Sequence, residues 1–193
     1  MDLRWLGVVP LSVLAACGGS SGWNGTATVT GTVGGISLSE IKEAVSVVYS
    51  GSSCEYTNSQ QNGLVITLSQ AGGHCAAKQT GTTNPDTVLA FAVHNVGTGP
   101  QSAIGPGTYT MSLQNSPIVV AYLHTFNGAT CGGFISHSGT ITLTTVNADS
   151  VSGSYSFTFV DSGGTPGALS GTFATTNCAL ADALMACEFA IFC

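Results

Sequence analysis

The chain has 193 residues, of which only 6% are charged, with 3 Lys+Arg against 9 Asp+Glu and a net charge of -6. An ordinary soluble domain is about one quarter charged, so Ser, Thr, Asn, Gln and Gly must supply most of this surface. Beyond the first few residues the cations are Lys42 and Lys78 alone; nucleic-acid binding needs clustered cations to replace counterions and is excluded.

Met1 to Cys17 has the layout of an export signal: Arg4 in a short n-region, an apolar stretch from Trp5 to Val13, then Leu14-Ala15-Ala16-Cys17. It is too short to remain as a spanning helix, which needs about 20 apolar residues. Leu14-Ala15-Ala16-Cys17 resembles the lipobox of bacterial lipoproteins. The resemblance implies diacylglyceryl transfer to the Cys17 thiol, cleavage that removes residues 1–16, and acylation of the new amino terminus. In that family Gly18, rather than Asp, after the cysteine implies outer-membrane sorting. The expectation is an exported protein whose membrane contact is a lipid on Cys17, with its domain on the periplasmic or surface face.

Setting Cys17 aside leaves Cys54, Cys75, Cys131, Cys178, Cys187 and Cys193, an even set. An oxidising exported compartment suits three disulfides among them, in a connectivity that spacing leaves open. Their long, irregular gaps do not resemble a zinc site.

Residues 17–25 read as a Gly/Ser tether and 26–193 as one β-rich domain. Ala27 to Val33 alternates, with Ala27, Val29 and Val33 on one side and Thr28, Thr30 and Thr32 on the other, as a half-buried strand does. Gly34-Gly35 ends it. Ser37, with Glu40 three residues on, predicts a capped helical turn before a strand at Val45 to Tyr49. Leu64 to Ser69 alternates again, and Gly72-Gly73 opens an irregular stretch holding His74 and Cys75.

Val88 to Val96 and Ile118 to Phe126 are nearly continuous apolar runs, which predicts central strands covered on both faces. Between them, Gly105-Pro106-Gly107 is a turn leading into Tyr109, Met111 and Leu113 at period two. Gly132-Gly133 separates Cys131 from the next strands. From Thr140 to Thr175, apolar residues alternate with Ser and Thr across short turns, the pattern of an antiparallel meander with a hydroxyl-bearing wet face. Asn177 is placed to cap a short C-terminal helix over Ala179 to Ala186, between Cys178 and Cys187. The fold class is therefore all-β: a mostly antiparallel sandwich or small closed barrel of about nine strands with that helix. The run V-S-G-S-Y-S-F-T-F followed by L-S-G-T-F resembles the ending of small uncharacterised β-rich envelope lipoproteins, a likeness that implies no activity.

Catalytic signatures are weak. Gly18 to Gly22 matches G-x-S-x-G without the strand and helix a nucleophile elbow needs, and Ser39 with Lys42 matches S-x-x-K without its companion motifs. His94 and His124 stand near the ends of the two apolar strands and would be candidate metal ligands if pairing brought them together. Asp149 and Asp161 could join an irregular calcium site. Stacking on sugar rings needs exposed aromatics, and Tyr56 is the tyrosine expected in a loop. No cofactor is expected. The reading is a lipid-anchored binding or structural module; the alternatives are an exported hydrolase or metal-dependent enzyme, or a carbohydrate-binding domain.

Overall fold

The structure, a computed structural model, describes residues 25–54, 59–80, 82, 85–97, 100–128, 130–160 and 163–178. The export signal, Cys17, Tyr56, Asp161, the expected helix over 179–186, Cys187 and Cys193 lie outside the described residues.

In chain order the strands are β1 (Thr26–Ala27), β2 (Thr30–Thr32), β3 (Glu43–Cys54) and β4 (Ser59–Ser69), followed by helix α1 (His74–Thr80). Then come β5 (Asp86–Gly97), β6 (Gly107–Thr110), β7 (Ile118–Phe126), β8 (Cys131–Val146), β9 (Val151–Val160), β10 (Pro166–Ala174) and β11 (Thr176–Asn177). They form one continuous sheet in the order β1-β10-β9-β8-β7-β5-β4-β3-β11, with β2 added to β10 and β6 to β8. Every pairing is antiparallel except the short one between β11 and β3.

The sheet curls until its ends approach, but it does not close. β10 stops at Ala174, and after Thr175 the chain re-enters as β11 at the opposite edge, where only Thr176 and Asn177 pair with β3. Thr175 holds this corner: its buried hydroxyl group lies 2.9 Å from the Val151 carbonyl and 2.7 Å from Ser46 Oγ. Gly25 enters the same seam, where a Cβ would lie 2.0 Å from the Ala44 carbonyl oxygen. A barrel needs an unbroken ladder around its circumference, and two paired residues do not supply one. Nor are there two separate sheets, because β8 bonds first to β7 and then to β9 and β6. The closed barrel and the sandwich expected from sequence are both corrected to a curled, open half-barrel.

The concave side holds the core. Leu64, Ile66, Leu68, Leu89, Phe91, Val93, Val119, Ala121 and Leu123 from one half meet Ile141, Leu143, Tyr155, Phe157, Phe159, Leu169 and Phe173 from the other. Phe91 is the cross-piece, its ring 4.5 Å from Tyr155, 5.7 Å from Phe157 and 6.2 Å from Phe173. Each fully buried Phe contributes about 1.5–3 kcal/mol by leaving water.

Much of the sequence pattern reappears. The two continuous apolar runs become β5 and β7, which pair with each other in the middle of the sheet, and Val88 to His94 are all buried. The meander is β8-β9-β10, and β6 adds to β8 beside it, where Thr108 and Thr142 pair across the strands through their hydroxyl groups at 3.0 Å.

Local details differ. The first predicted strand is broken into β1 and β2, and the segment from Ser37 to Glu40 is not helical. A helix forms instead at His74, where an irregular stretch was expected. Its cap is remote: the Glu43 carboxylate on β3 accepts hydrogen bonds from the backbone N–H groups of His74 and Cys75, the second at 3.0 Å. These N–H groups have no partner inside the helix. Gly132-Gly133 is no separator, because β8 runs through it beside Thr125 and His124.

Candidate functional site

On the convex side, the register aligns residues in rows. Glu43, Ser69, Val88, His124 and Gly133 form one; Val45, Thr67, Ala90, Tyr122 and Ile135 the next. Val47, Val65, Ala92 and Val120 form the third, and Tyr49, Gly63, His94 and Ile118 the fourth. This settles the histidine question. β5 and β7 do pair, but His94 faces Ile118 and His124 faces Val88. Six residues of strand at about 3.3 Å each separate the two imidazoles by roughly 20 Å. They cannot share a metal ion, and among the described residues no group of three or more His, Cys, Asp or Glu is arranged to hold one.

At the Glu43 end, the fully buried Ser69 donates its hydroxyl to Asp86 and accepts the Gly72 N–H at 2.9 Å. The second Asp86 oxygen accepts the Ala71 N–H at 2.8 Å. Ser69 and Asp86 thereby pin the turn that leads into α1. Ser, His and Asp lie near one another here, yet the arrangement is not nucleophilic: the Ser69 hydroxyl is already committed on both sides and is sealed from solvent. His74 is held below its ordinary pKa, first by burial and then by Lys78, against opposing pulls from Asp86 and Glu43. Burial, with Lys78 second, also lowers His124, whose ring stacks on Tyr122 at 5.6 Å. Both shifts favour the neutral imidazole.

Beside this corner lies a cleft of about 600 Å³. Its walls carry Gln70, Asp86, Thr87, Thr125, Asn127 and Thr130, with the half-buried Phe126 as the aromatic surface. Asp86 is oriented by Ser69 and Ala71, and Asn127 by the Thr130 N–H donating to its Oδ1 at 2.9 Å. A smaller hollow of about 370 Å³ lies by Met111 to Asn115, Ser136 and His137. Sequence reasoning did not single out the larger cleft. Its residues come from the ends of several strands and share no motif; the readable signal was only the acid opening an apolar run at Asp86.

At the other end of the convex face, burial lowers His94 to about 4 and raises Tyr49. The Tyr49 hydroxyl is buried without a hydrogen-bond partner among the described residues. Gly63 makes room for both: a Cβ there would lie 2.4 Å from His94 Cβ and 2.8 Å from Tyr49 Oη.

Of the six paired-cysteine candidates, Cys75 and Cys178 form a disulfide, with Cα atoms 5.8 Å apart and a sequence separation of 103. It joins α1 to the end of β11 over Val45. Closing a loop of this size stabilises a fold by roughly 4–5 kcal/mol in the chain-entropy account. Cys54 ends β3 and Cys131 begins β8. Asp149 sits in the β8-β9 turn, its N–H bonded to Asn147 Oδ1 at 2.9 Å.

Comparison with protein families, with characterised proteins and with solved structures finds no match to this chain.

Proposed function

We propose that this is an exported, lipid-anchored β-domain of a bacterial envelope, tethered through Cys17 and acting as a binding or structural module. The observation that carries the reading is Leu14-Ala15-Ala16-Cys17 at the end of a short apolar segment. The disulfide between Cys75 and Cys178 supports it, because such bonds persist in oxidising, exported compartments. The low charge fits a surface built from hydroxyl and amide groups. Cys17→Ser is expected to move the protein from the membrane fraction to the soluble fraction on cell fractionation; unchanged membrane association refutes the anchor.

Carbohydrate binding is the second reading, favoured by the cleft. Its amide and hydroxyl groups, one oriented carboxylate and Phe126 match the needs of a neutral polyol, which is held by hydrogen bonds and stacking rather than by ion pairs. Titration calorimetry with soluble envelope oligosaccharides tests it. Binding that Phe126→Ala and Asn127→Ala each weaken about tenfold, roughly 1.4 kcal/mol, supports the reading. Binding indifferent to both variants, or none, removes it. The hydrolase alternative gains nothing from Ser69, whose hydroxyl is sealed and already bonded.

A further inference from the structure

We propose that the outer face of the meander, a two-dimensional array of threonine and serine hydroxyl groups, adsorbs to the surface of ice. Three observations converge on it. The first is the register. Across five strands, Thr30 on β2, Ser170 on β10, Ser156 on β9, Thr140 on β8 and Thr110 on β6 stand in one row. Two residues along, Thr172, Ser154, Thr142 and Thr108 form the next, and Thr28 joins its end through a hydroxyl pair with Thr172 at 3.0 Å. Every position in both rows bears a hydroxyl group, and none is buried. The flanking rows that start at Thr32 and at Thr26 contain only Thr, Ser and Ala. In β8 the register shifts between Ser136 and Ser138 and again between Leu143 and Thr145, so both irregularities fall outside the two rows.

The second observation is the spacing and stiffness that follow. Strand pairing sets neighbouring hydroxyl groups about 4.8 Å apart along a row, and the two-residue repeat sets the rows about 6.7 Å apart. Each hydroxyl both donates and accepts a hydrogen bond, as each water of ice does, and the oxygens of ice repeat on this same scale. Thr is stiff at χ1, and the pairs Thr28–Thr172 and Thr108–Thr142 tie side chains across strands at 3.0 Å. A rigid array sums many weak contacts without the ordering cost that a mobile one carries on binding. Three neighbouring strands, β10, β9 and β8, are only about 10 Å across between their outer axes. They hold the centre of both rows, so the curl of the whole sheet still leaves a grid that meets a flat lattice.

The third is what the face lacks. The chain carries a net charge of -6, yet neither row has a charged or an aromatic side chain. Glycan surfaces are held by stacking on aromatic rings, protein partners by aromatic and arginine anchors, and polyanions by clustered cations. Ice offers neither charge nor ring, and a neutral hydroxyl lattice is its complement. The face is separate from the cleft beside Asp86, and its chemistry does not depend on a lipid at Cys17.

The test uses the mature protein, purified from whichever cell fraction holds it, with the purification buffer and an equal mass of serum albumin as blanks. Nanolitre osmometry is expected to show a gap between melting and freezing temperatures with faceted crystals, and a cold-stage assay to show slowed ice recrystallisation. Ser154→Tyr/Ser156→Tyr, which puts two bulky rings at the centre of the grid in a residue that suits strands, is expected to lose these effects while keeping the parent's circular dichroism and melting temperature. Ser39→Tyr, at an exposed position outside both rows, is expected to keep them. Ice growth no different from the blanks overturns the proposal, as does activity that survives the double variant or is lost equally in Ser39→Tyr. Retention on crystalline cellulose with no effect on ice overturns it in favour of a glycan surface.

Discussion

The wall formed by β4, β5 and β7 and the meander formed by β8, β9 and β10 are both antiparallel, but they meet water differently. In the wall both faces are dry: Leu64, Ile66 and Leu68 point to the core, while Val65, Thr67 and Ser69 are buried on the other side. The meander buries Tyr155, Phe157 and Phe159 and leaves Ser154, Ser156 and Val160 exposed between them. A strand with one wet face can satisfy its outward side chains with solvent. One with two dry faces must find partners for its polar groups, and at one end of the wall and the adjoining β3 two buried polar residues are tied into specific bonds. Ser69 holds Asp86 and Gly72; Glu43 holds the start of α1. The helix and the Cys75–Cys178 disulfide both lie on the wall side.

The largest expected contrast comes from placing the same charge on each half. Ala90→Asp, on the dry convex face of β5, buries an unpaired carboxylate and is expected to cost more than about 4 kcal/mol, enough to abolish folding. Ser156→Asp, on the wet face of β9, is expected to stay within about 0.5 kcal/mol. Denaturant midpoints read both; equal effects would break the comparison.

The next effect is a pH dependence localised to the wall. Burial holds His94 at about 4 in the folded protein, against about 6.5 in an unfolded chain. The unfolded state therefore binds more protons between these values. This contribution is complete above about pH 6.5 and is lost as pH falls toward 4, amounting to about 3 kcal/mol. His74 and His124 are shifted in the same direction. Thermal melts from pH 7.5 to 4 are expected to show a falling melting temperature, with a shallower slope for His94→Gln; an unchanged slope removes His94 as a contributor.

Smaller again is the difference between a buried cap and an exposed one. Glu43→Ala strips two backbone N–H groups of a charged acceptor and is expected to cost roughly 2 kcal/mol. Asn147→Ala removes the acceptor for the Asp149 and Ser150 N–H groups in the solvent-facing β8-β9 turn, at roughly 1 kcal/mol. Urea unfolding of the two variants sharpens or levels the contrast.

The legibility of the sequence follows the same division. Val151, Tyr155, Phe157 and Phe159 betray their strand because every other position faces water. In β5 the near-continuous run from Val88 to Val93 announces burial on both faces, but not what lies on either. α1 was missed because its cap, Glu43, is thirty-one residues away from His74, beyond any local capping rule. The cleft beside Asp86 was equally invisible, since its lining is drawn from strand ends that meet only after pairing.

Composition and alternation by themselves determined that this chain is β-rich, weakly charged and without a nucleic-acid footprint, because periodicity and charge are local properties of the chain. Only the tertiary structure decided that the sheet stays open at Thr175, that His94 and His124 stand at opposite ends of paired strands, and that Cys75 meets Cys178. Those outcomes depend on strand order and register, which arise from contacts between residues far apart in sequence.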